Sequence, residues 1–575
     1  MLNFYDYKVF ECGWIVVVVN TQSRQRQTIV NDRDVFMDYF KKHKNEIWIG
    51  CNNFNYDPNI LKAILLNLNV KKVYDHLTVE GLKTWQIDNR FKNITINSYD
   101  VAKKKELKSL FGFMGKDISK FSIPLDTKKV LTMEEIQDVI NHCTYNIKQT
   151  MEIFLQCEND FNAQIQLIKT FDLPLEAVGR TKAQLASIIL KARKQSFNDW
   201  WNIKLPSTLK LDKYNFIAEW FLNKKNHHNE STLTCNIAGL EHNIGWGGLH
   251  GAKEKYKYVC KDDEMIVHAD VDQLYPTIML KYDLLSRATR EKERYTNILS
   301  TSLKLKAEEK ESERQPYKDI SNITYGAMGD EFNFLNDPLN RKLVCVYGQV
   351  FIIDLIEKLE GFAELIQSNT DGIFVKIKKQ DFDLLDDVVF GWEERTGLKM
   401  SFKFYKTIVQ KDVNCYVAIG FDGKLKRKGE YVKELSDIDY DLPIVNEAVV
   451  KFLTEGVLPE DTIRNCNELR KFQKIVKVSN LYMCAWHNGK QLTGKIFRIF
   501  ASADSGDKNI TKQKTHGATK EKFAKTPERC FIDNGDITNK TVPYKLNKQW
   551  YIDLAVKRIE DFGLNASKYK QLELL

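Results

Sequence analysis

Cysteine, long apolar runs and a strong charge of either sign are all scarce in this chain. Its 11 cysteines in 575 residues are odd in number and scattered, with no C-x-x-C pair, which argues against both a disulfide framework and a zinc site. The longest strongly apolar run near the start, Trp14-Ile15-Val16-Val17-Val18-Val19, has the length of a strand and falls far short of the roughly 20 residues that span a bilayer. No signal peptide is recognised and no membrane association is expected, so a reducing cytosol is the expected setting. Internal repeats are absent. Lys and Arg total 86 against 77 Asp and Glu, a formal net charge of +9, which suits a local basic channel as well as it suits ordinary solubility. A hydrophobic fraction of 43%, with 32 Phe, 24 Tyr and 10 Trp, supplies core for a globular protein, and the length exceeds what one core usually supports.

Along the first hundred residues β-rich and helical stretches alternate: a strand at Trp14 to Asn20, a helix at Asp34 to Lys42, a strand at Glu46 to Cys51 and a helix at Pro58 to Leu68, an α/β pattern. Thr132 and Glu135 form a capping-box pattern that opens a helix running to about Leu155. A break follows at Leu173-Pro174. The segment Ile244 to Ala252 is too glycine-dense for a helix and suits close backbone contact. Leu284 to Ser312 reads as a solvated helix, and Pro316 as the restart of a second one, giving an αα-hairpin. The last hundred residues mix short strands, a Lys/Gly/Asp loop from Ala503 to Lys525 and a helix at Trp550 to Phe562.

Two aspartates carry most of the chemical information. Asp270 ends the run Met265-Ile266-Val267-His268-Ala269 and is followed at once by a turn, Val271-Asp272-Gln273-Leu274-Tyr275-Pro276. Asp371 sits between Leu365-Ile366 and Ile373-Phe374, which read as the arms of a hairpin with the aspartate at its tip. If these strands are neighbours, two carboxylates converge. That suits a pair of Mg²⁺ ions, which are held by one or two carboxylates plus substrate phosphates. Between them, Arg314, Lys318, Asn322 and Tyr325 are spaced by four, four and three residues, which puts the last three on one helix face. A cation there can pair with a triphosphate, and Tyr325, followed by Gly326, offers a flat surface for a base pair. Each lysine alone would read as a solvated surface residue; the order of aspartate turn, basic helix and aspartate hairpin tilts the balance.

With these residues the chain resembles the family B DNA polymerases, most closely the compact bacteriophage members. Asp270 to Pro276 is similar to D-x-x-S-L-Y-P, with Gln273 where serine is usual. Lys318 to Gly326 resembles K-x-x-x-N-S-x-Y-G, with Ile323 for serine, and Asn369-Thr370-Asp371-Gly372 resembles the D-T-D-S turn, with Asn369 for its first aspartate. Gly247-Gly248 resembles the glycine pair between exonuclease and polymerase domains, with Gly245 for its leading tyrosine, and Lys411 and Tyr416 stand for a Lys/Tyr motif at a longer separation. The resemblance implies an α/β and α+β multidomain chain: an RNase H-like, exonuclease-like domain over 1–170, a linker and first palm segment over 171–283, two-helix fingers over 284–328, an antiparallel palm over 329–450 and a thumb over 451–575. It implies that Asp270 and Asp371 bind two Mg²⁺ ions, with Mn²⁺ as a substitute, assisted by the Val271 carbonyl. Lys318 would contact the triphosphate and protonate the leaving group, with Lys306 assisting. Tyr275 would exclude a ribose 2′-hydroxyl, and Asn322 and Tyr325 would line the base-pair pocket. Asp272 is left without a role.

The same family carries four carboxylates in three motifs of its N-terminal proofreading exonuclease. Asp6-Tyr7-Lys8 resembles D-x-E with lysine at the glutamate position, and Asn53 to Asp57 resembles an intact N-x-x-F/Y-D. The third motif, Y-x-x-x-D, best matches His142 to Asn146, with Tyr145 and Gln149 as an alternative register; neither ends in aspartate. Glu to Lys and Asp to Asn shift the site by about three positive charges, and an ammonium among metal ligands repels the cations this chemistry needs. The fold is therefore expected to persist with 3′→5′ exonuclease activity absent or very weak.

Lys424, Lys426, Arg427 and Lys428 cluster in a strand-turn region, and six lysines between Lys508 and Lys525 crowd the late loop. Such runs are more often solvated surface, but their place after the catalytic hairpin favours phosphate contact, with Gly247, Gly248, Lys411, Tyr416, Lys426 and Lys428 as the DNA-binding set. About forty residues separate Pro276 from Lys318 and Gly326 from Asp371, too few for the insertions of protein-primed relatives, so ordinary primer extension is expected. The expected partners are primer-template DNA, deoxynucleoside triphosphates and replication accessory proteins, for a monomer in the cytoplasm of a bacterial host cell. A lesion-bypass or repair polymerase, and a catalytically silent polymerase-like DNA-binding protein, are the alternatives.

Overall fold

The computed structural model describes residues 1–51, 57–103, 105–119, 123–124, 126–515, 517 and 519–566. They form two compact units, one from Met1–Arg180, Leu435–Ile444 and Asn465–Tyr551, the other from Thr181–Glu434, Val445–Arg464 and the described part of Ile552–Leu575. This grouping cuts across the sequence segments drawn above, since residues 465–551 pack with residues 1–180. Among the described residues no helix is long and apolar enough to cross a membrane.

The first unit opens on a mixed five-stranded sheet built from β1 (Leu2–Phe10), β2 (Gly13–Asn20), β3 (Arg26–Val30), β4 (Ile47–Gly50) and β5 (Ser98–Asp100), in the order β3-β2-β1-β4-β5. The Val16 to Val18 run of β2 is buried on both faces, as a β-branched stretch in a covered sheet should be. Helices Arg33–His43 and Met133–Gln156 lie within about one residue of their expected bounds, Asp57–Leu65 ends three residues before the expected Leu68, and Met133–Gln156 opens on the expected capping box: Glu135 N–H donates to Thr132 Oγ1 at 3.2 Å and Thr132 N–H to Glu135 Oε2 at 2.8 Å. The stretch expected as a loop from Ala503 to Lys525 instead contains strands Thr511–Lys514, paired with Tyr482–His487, and Lys520–Lys522, paired with Thr511–Lys514. Arg498, with 0% of its surface exposed, ties this part to the N-terminal residues by donating to the carbonyls of Gly112 at 3.0 Å and Lys116 at 2.7 Å.

The second unit is organised by a ten-stranded, antiparallel sheet of β6 (Thr232–Ile237), β7 (Leu240–Gly245), β8 (Gly248–Ala252), β9 (Tyr256–Val259), β10 (Glu264–Val271), β11 (Glu364–Asn369), β12 (Gly372–Lys378), β13 (Met400–Asp412), β14 (Cys415–Gly420) and β15 (Leu425–Lys428). Its order is β15-β14-β13-β10-β12-β11-β8-β7-β6, with β9 also on β13. The glycine-dense segment resolves into the β7–β8 hairpin, in which Gly245 faces Gly248. Helix Pro338–Leu359 is buried along nearly its whole length, and Asp354 within it, 0% exposed, is neutralised by a two-bond pairing to Arg395 at 2.8 Å each. Two antiparallel-connected helices, Lys292–Ala307 and Glu311–Ala327, form the expected αα-hairpin, but the break falls at Glu308–Lys310, where Glu309 adopts φ 57°, and Pro316 lies inside the second helix. The left-handed residue, not the proline, ends the first helix.

Candidate functional site

β10 is flanked by β12 on one side and β13 on the other, so Asp270 lies opposite Gly372 and Ser401 at once. Directly opposed residues of antiparallel strands share a face, and the Asp371 turn therefore abuts the end of β10. Val271 N–H donates to the Asp371 carbonyl at 2.8 Å, which locks the two aspartates to one backbone junction. Gly372 makes the approach possible: a Cβ there would stand 2.6 Å from the Ala269 carbonyl oxygen and 3.1 Å from Asp270 Oδ1. Burial, and then the charge of Asp371, push the Asp270 carboxyl up to about 6. That is the behaviour of two like charges brought together with too little solvent, and a divalent cation relieves it.

The surrounding backbone is held by side chains of several elements. Thr370 Oγ1 accepts from Leu249 N–H at 3.0 Å, which joins the Asp371 turn to β8, and a Cβ at Gly248 (φ +150°) would meet that hydroxyl at 2.7 Å. Gly348 of the buried helix leaves room for Tyr275, whose Cε1 would be 3.4 Å from a Cβ there. Tyr275 and Tyr325 lie with ring centroids 4.1 Å apart, and burial pushes both hydroxyls well above the usual phenol range. Gln273 was read from sequence only as a departure from a serine. It adopts a left-handed conformation (φ 49°, ψ 49°) before helix Leu274–Lys281, and its Oε1 accepts from Ser321 Oγ at 3.0 Å and Ser302 Oγ at 3.4 Å, one from each helix of the αα-hairpin.

The basic residues expected beside the aspartates are distributed more widely. Lys318 Nζ lies 3.3 Å from Glu311, Arg314 is buried and donates to Glu311 at 2.7 Å, and Asn322 is exposed. Lys306 pairs with Asp272, giving a partner to the carboxylate that the sequence left without a role. Lys403 was missed: it faces His268 across β13 and β10, two residues from Ser401, so it shares the face of Asp270, a period-two relation that becomes visible only with the strand register. Lys426 Nζ lies 3.3 Å from His268 Nε2; burial lowers its ammonium to about 8 and the His268 imidazole to about 3. Lys428 faces Tyr416 on β14, and Lys411 pairs with Asp412. Tyr416, expected at the DNA, is only 2% exposed and packs on Phe374 with centroids 5.5 Å apart, as part of the sheet's aromatic core.

In the first unit a cavity of about 390 Å³ gathers Asp6, Lys8, Asp57 and Asn146. Asp6 and Lys8, two apart on β1, share a face. Lys8 Nζ and Asn146 Nδ2 both donate to Asp6 Oδ2 at 2.9 Å, so one carboxylate oxygen is occupied twice. Tyr7 donates to Asp57 Oδ1 at 2.9 Å, and burial pushes the Asp57 carboxyl up to about 8, with the charges of Asp6 and Asp100 adding to it. Asp100, at the end of β5, is a further carboxylate the sequence did not single out. Asn53 to Tyr56 lie outside the described residues. Among the described residues no group of three or more His, Cys, Asp and Glu is placed to hold a metal.

No family model matches the sequence, and no curated protein matches it. Among solved structures the chain is similar to the family B DNA polymerase from the hyperthermophilic archaeon Pyrobaculum calidifontis, at 14% identity over 98% of this chain and 77% of that one, with a TM-score of 0.44.

Proposed function

We propose that this protein is a template-directed DNA polymerase of the family B type, akin to the compact bacteriophage enzymes, and that it lacks effective proofreading. The observation that carries the reading is the junction of Asp270 and Asp371, tied by the Val271 N–H to Asp371 carbonyl bond at 2.8 Å. The donor set suits Mg²⁺: two carboxylates with one side open, adjacent carbonyls, and a carboxyl raised to about 6 by burial and by its neighbour's charge. Asp270, Asp371 and the Val271 carbonyl would hold the ions. When bound, two such ions lower the pKa of a primer 3′-hydroxyl and neutralise the triphosphate and its leaving pyrophosphate.

The chain's own residues supply the rest. Lys318, loosely paired with the half-exposed Glu311, is free to exchange that partner for a triphosphate and to give its proton to the leaving oxygen. Lys306 is held near the turn by Asp272. Tyr275, whose ring lies against that of Tyr325 at a 31° tilt, would stand against the sugar of the incoming nucleotide and disfavour a 2′-hydroxyl by contact, while Tyr325 and Asn322 border the base pair. Lys403, Lys426 and Lys428 make the sheet face beside Asp270 cationic, which suits a primer backbone. In the N-terminal cavity Lys8 stands as a built-in cation on Asp6, which supports a domain retained without nuclease activity.

Primer extension with Mg²⁺ and four deoxynucleotides, run beside release of label from 3′-labelled single-stranded DNA, tests the proposal. The wild type should extend, Asp371→Asn should reduce extension by roughly 10³-fold or more at unchanged DNA affinity, and neither should release label. Extension that survives Asp371→Asn would overturn it.

A further inference from the structure

The cations next to the Tyr275–Tyr325 pair do not end there. Arg341 and Lys342 are consecutive near the start of helix Pro338–Leu359, so their side chains diverge by about 100° around it. The Arg341 guanidinium lies 5.6 Å from the Tyr325 ring, and it crosses Gly329, where a Cβ would come within 2.4 Å of its Nε. Lys342 is 7% exposed, and among the described residues no carboxylate pairs with it. Asp199 and Asp337 nearby are both taken by Arg287, at 2.6 and 2.7 Å. The Lys342 ammonium instead lies 4.4 Å from the Trp201 ring and 5.8 Å from that of Trp200, and Trp200 is 48% exposed.

A lysine buried without a counter-charge is costly, and an indole face offsets only part of that cost. A phosphate supplies the missing anion. An open tryptophan next to it offers a face to a base, which must be unpaired to reach it. We propose that Tyr325, Arg341, Lys342, Trp201 and Trp200 form a track for the single-stranded template beyond the nascent base pair, with phosphates near the two cations and a base on Trp200. This deepens the polymerase reading and rests on it. Recognition of this kind is sequence-tolerant, because every base has a π-face.

The test measures, with the full-length chain in the absence of divalent metal, the affinity for fluorescein-labelled primer-template duplexes that are blunt or carry two, four or eight unpaired template nucleotides. Base stacking of this kind corresponds to roughly a tenfold gain per well-stacked base. The wild type should therefore bind the four-nucleotide overhang about tenfold tighter than the blunt duplex, and Trp200→Ala should bring that ratio down to about two. Arg341→Gln, at an exposed position, should lower the same ratio and flatten its salt dependence by about one phosphate contact. Equal affinity across overhang lengths in a wild type that extends primers would overturn the track and leave the polymerase reading standing, as would a ratio unchanged in both variants. A wild type that neither binds nor extends primer-template would overturn both.

Discussion

Replacing Lys8 by methionine asks whether this lysine has become the structural substitute for a metal ion. The Lys8 side chain is 15% exposed and that of Asp6 23%, with Nζ and Oδ2 2.9 Å apart. Burial alone would lower the Lys8 ammonium, but Asp6 outweighs it and holds the group above the usual lysine range. Methionine keeps most of the volume and removes the charge, leaving Asp6 with the Asn146 amide at 2.9 Å. Removing one partner of a fully buried pair costs roughly 3–5 kcal/mol, and the remaining amide and partial exposure bring the expectation here to about 2 kcal/mol. Asp6→Asn should cost about the same, because the ammonium then keeps little beyond the Tyr7 carbonyl at 3.1 Å. The double variant should lose much less than the sum, for a coupling of about 2 kcal/mol. Urea unfolding of the full chain at pH 7 reads all four corners of the cycle, with label release from 3′-labelled single-stranded DNA as the functional arm. Additive losses, a Lys8→Met variant within about 0.5 kcal/mol of wild type, or Asp57-dependent release of label by the unmodified chain would each refute the reasoning.

Arg498→Met should be among the most damaging single changes in the first unit, at about 3 kcal/mol or more in unfolding experiments, because it strips donors from the carbonyls of Gly112, Lys116, Gly535 and Asp533. Primer extension should fall by up to about tenfold per pH unit below roughly pH 6, since the Asp270 carboxyl, raised to about 6, must lose its proton to bind a cation; saturating Mg²⁺ should move the midpoint down. The sign for stability is opposite: an acid whose folded pKa is raised keeps its proton in the folded state, so this group's contribution falls as pH rises from about 4 to about 6, and Asp270→Asn should be more stable than wild type at pH 7. A melting-temperature series from pH 4.5 to 7.5 reads it, and an Asp270→Asn difference that shrinks as pH rises would contradict it. Tyr275→Ala should raise ribonucleotide incorporation by about tenfold or more relative to deoxynucleotide, measured as a ratio of kcat/KM values; an unchanged ratio would remove the role given to that ring.

Much of the candidate site was legible because its signals are local. An apolar run ending in Asp270, a hairpin tip at Asp371 and a capping box at Thr132 are written in consecutive residues, and the structure forms each where expected. Lys8 and Asn146, each departing from the pattern expected at its position, were also readable, and both bond the same Asp6 oxygen. Proline at 316 signals a helix start there, whereas the break falls earlier, where the left-handed Glu309 terminates the first helix, and Pro316 lies inside the second.

What the sequence by itself determined is therefore the chemistry available: which carboxylates end strands, which cations follow, and where lysine and asparagine stand at positions 8 and 146. Tertiary structure decided who meets whom. Strand register put Lys403 on the face of Asp270 and folded Tyr416 into the aromatic core. The packing of helices gave Asp272 to Lys306, set Arg341 near the Tyr325 ring and set Lys342 near the Trp200 ring. The physical reason is that burial, register and charge pairing depend on residues far apart in the chain, and no local pattern encodes them.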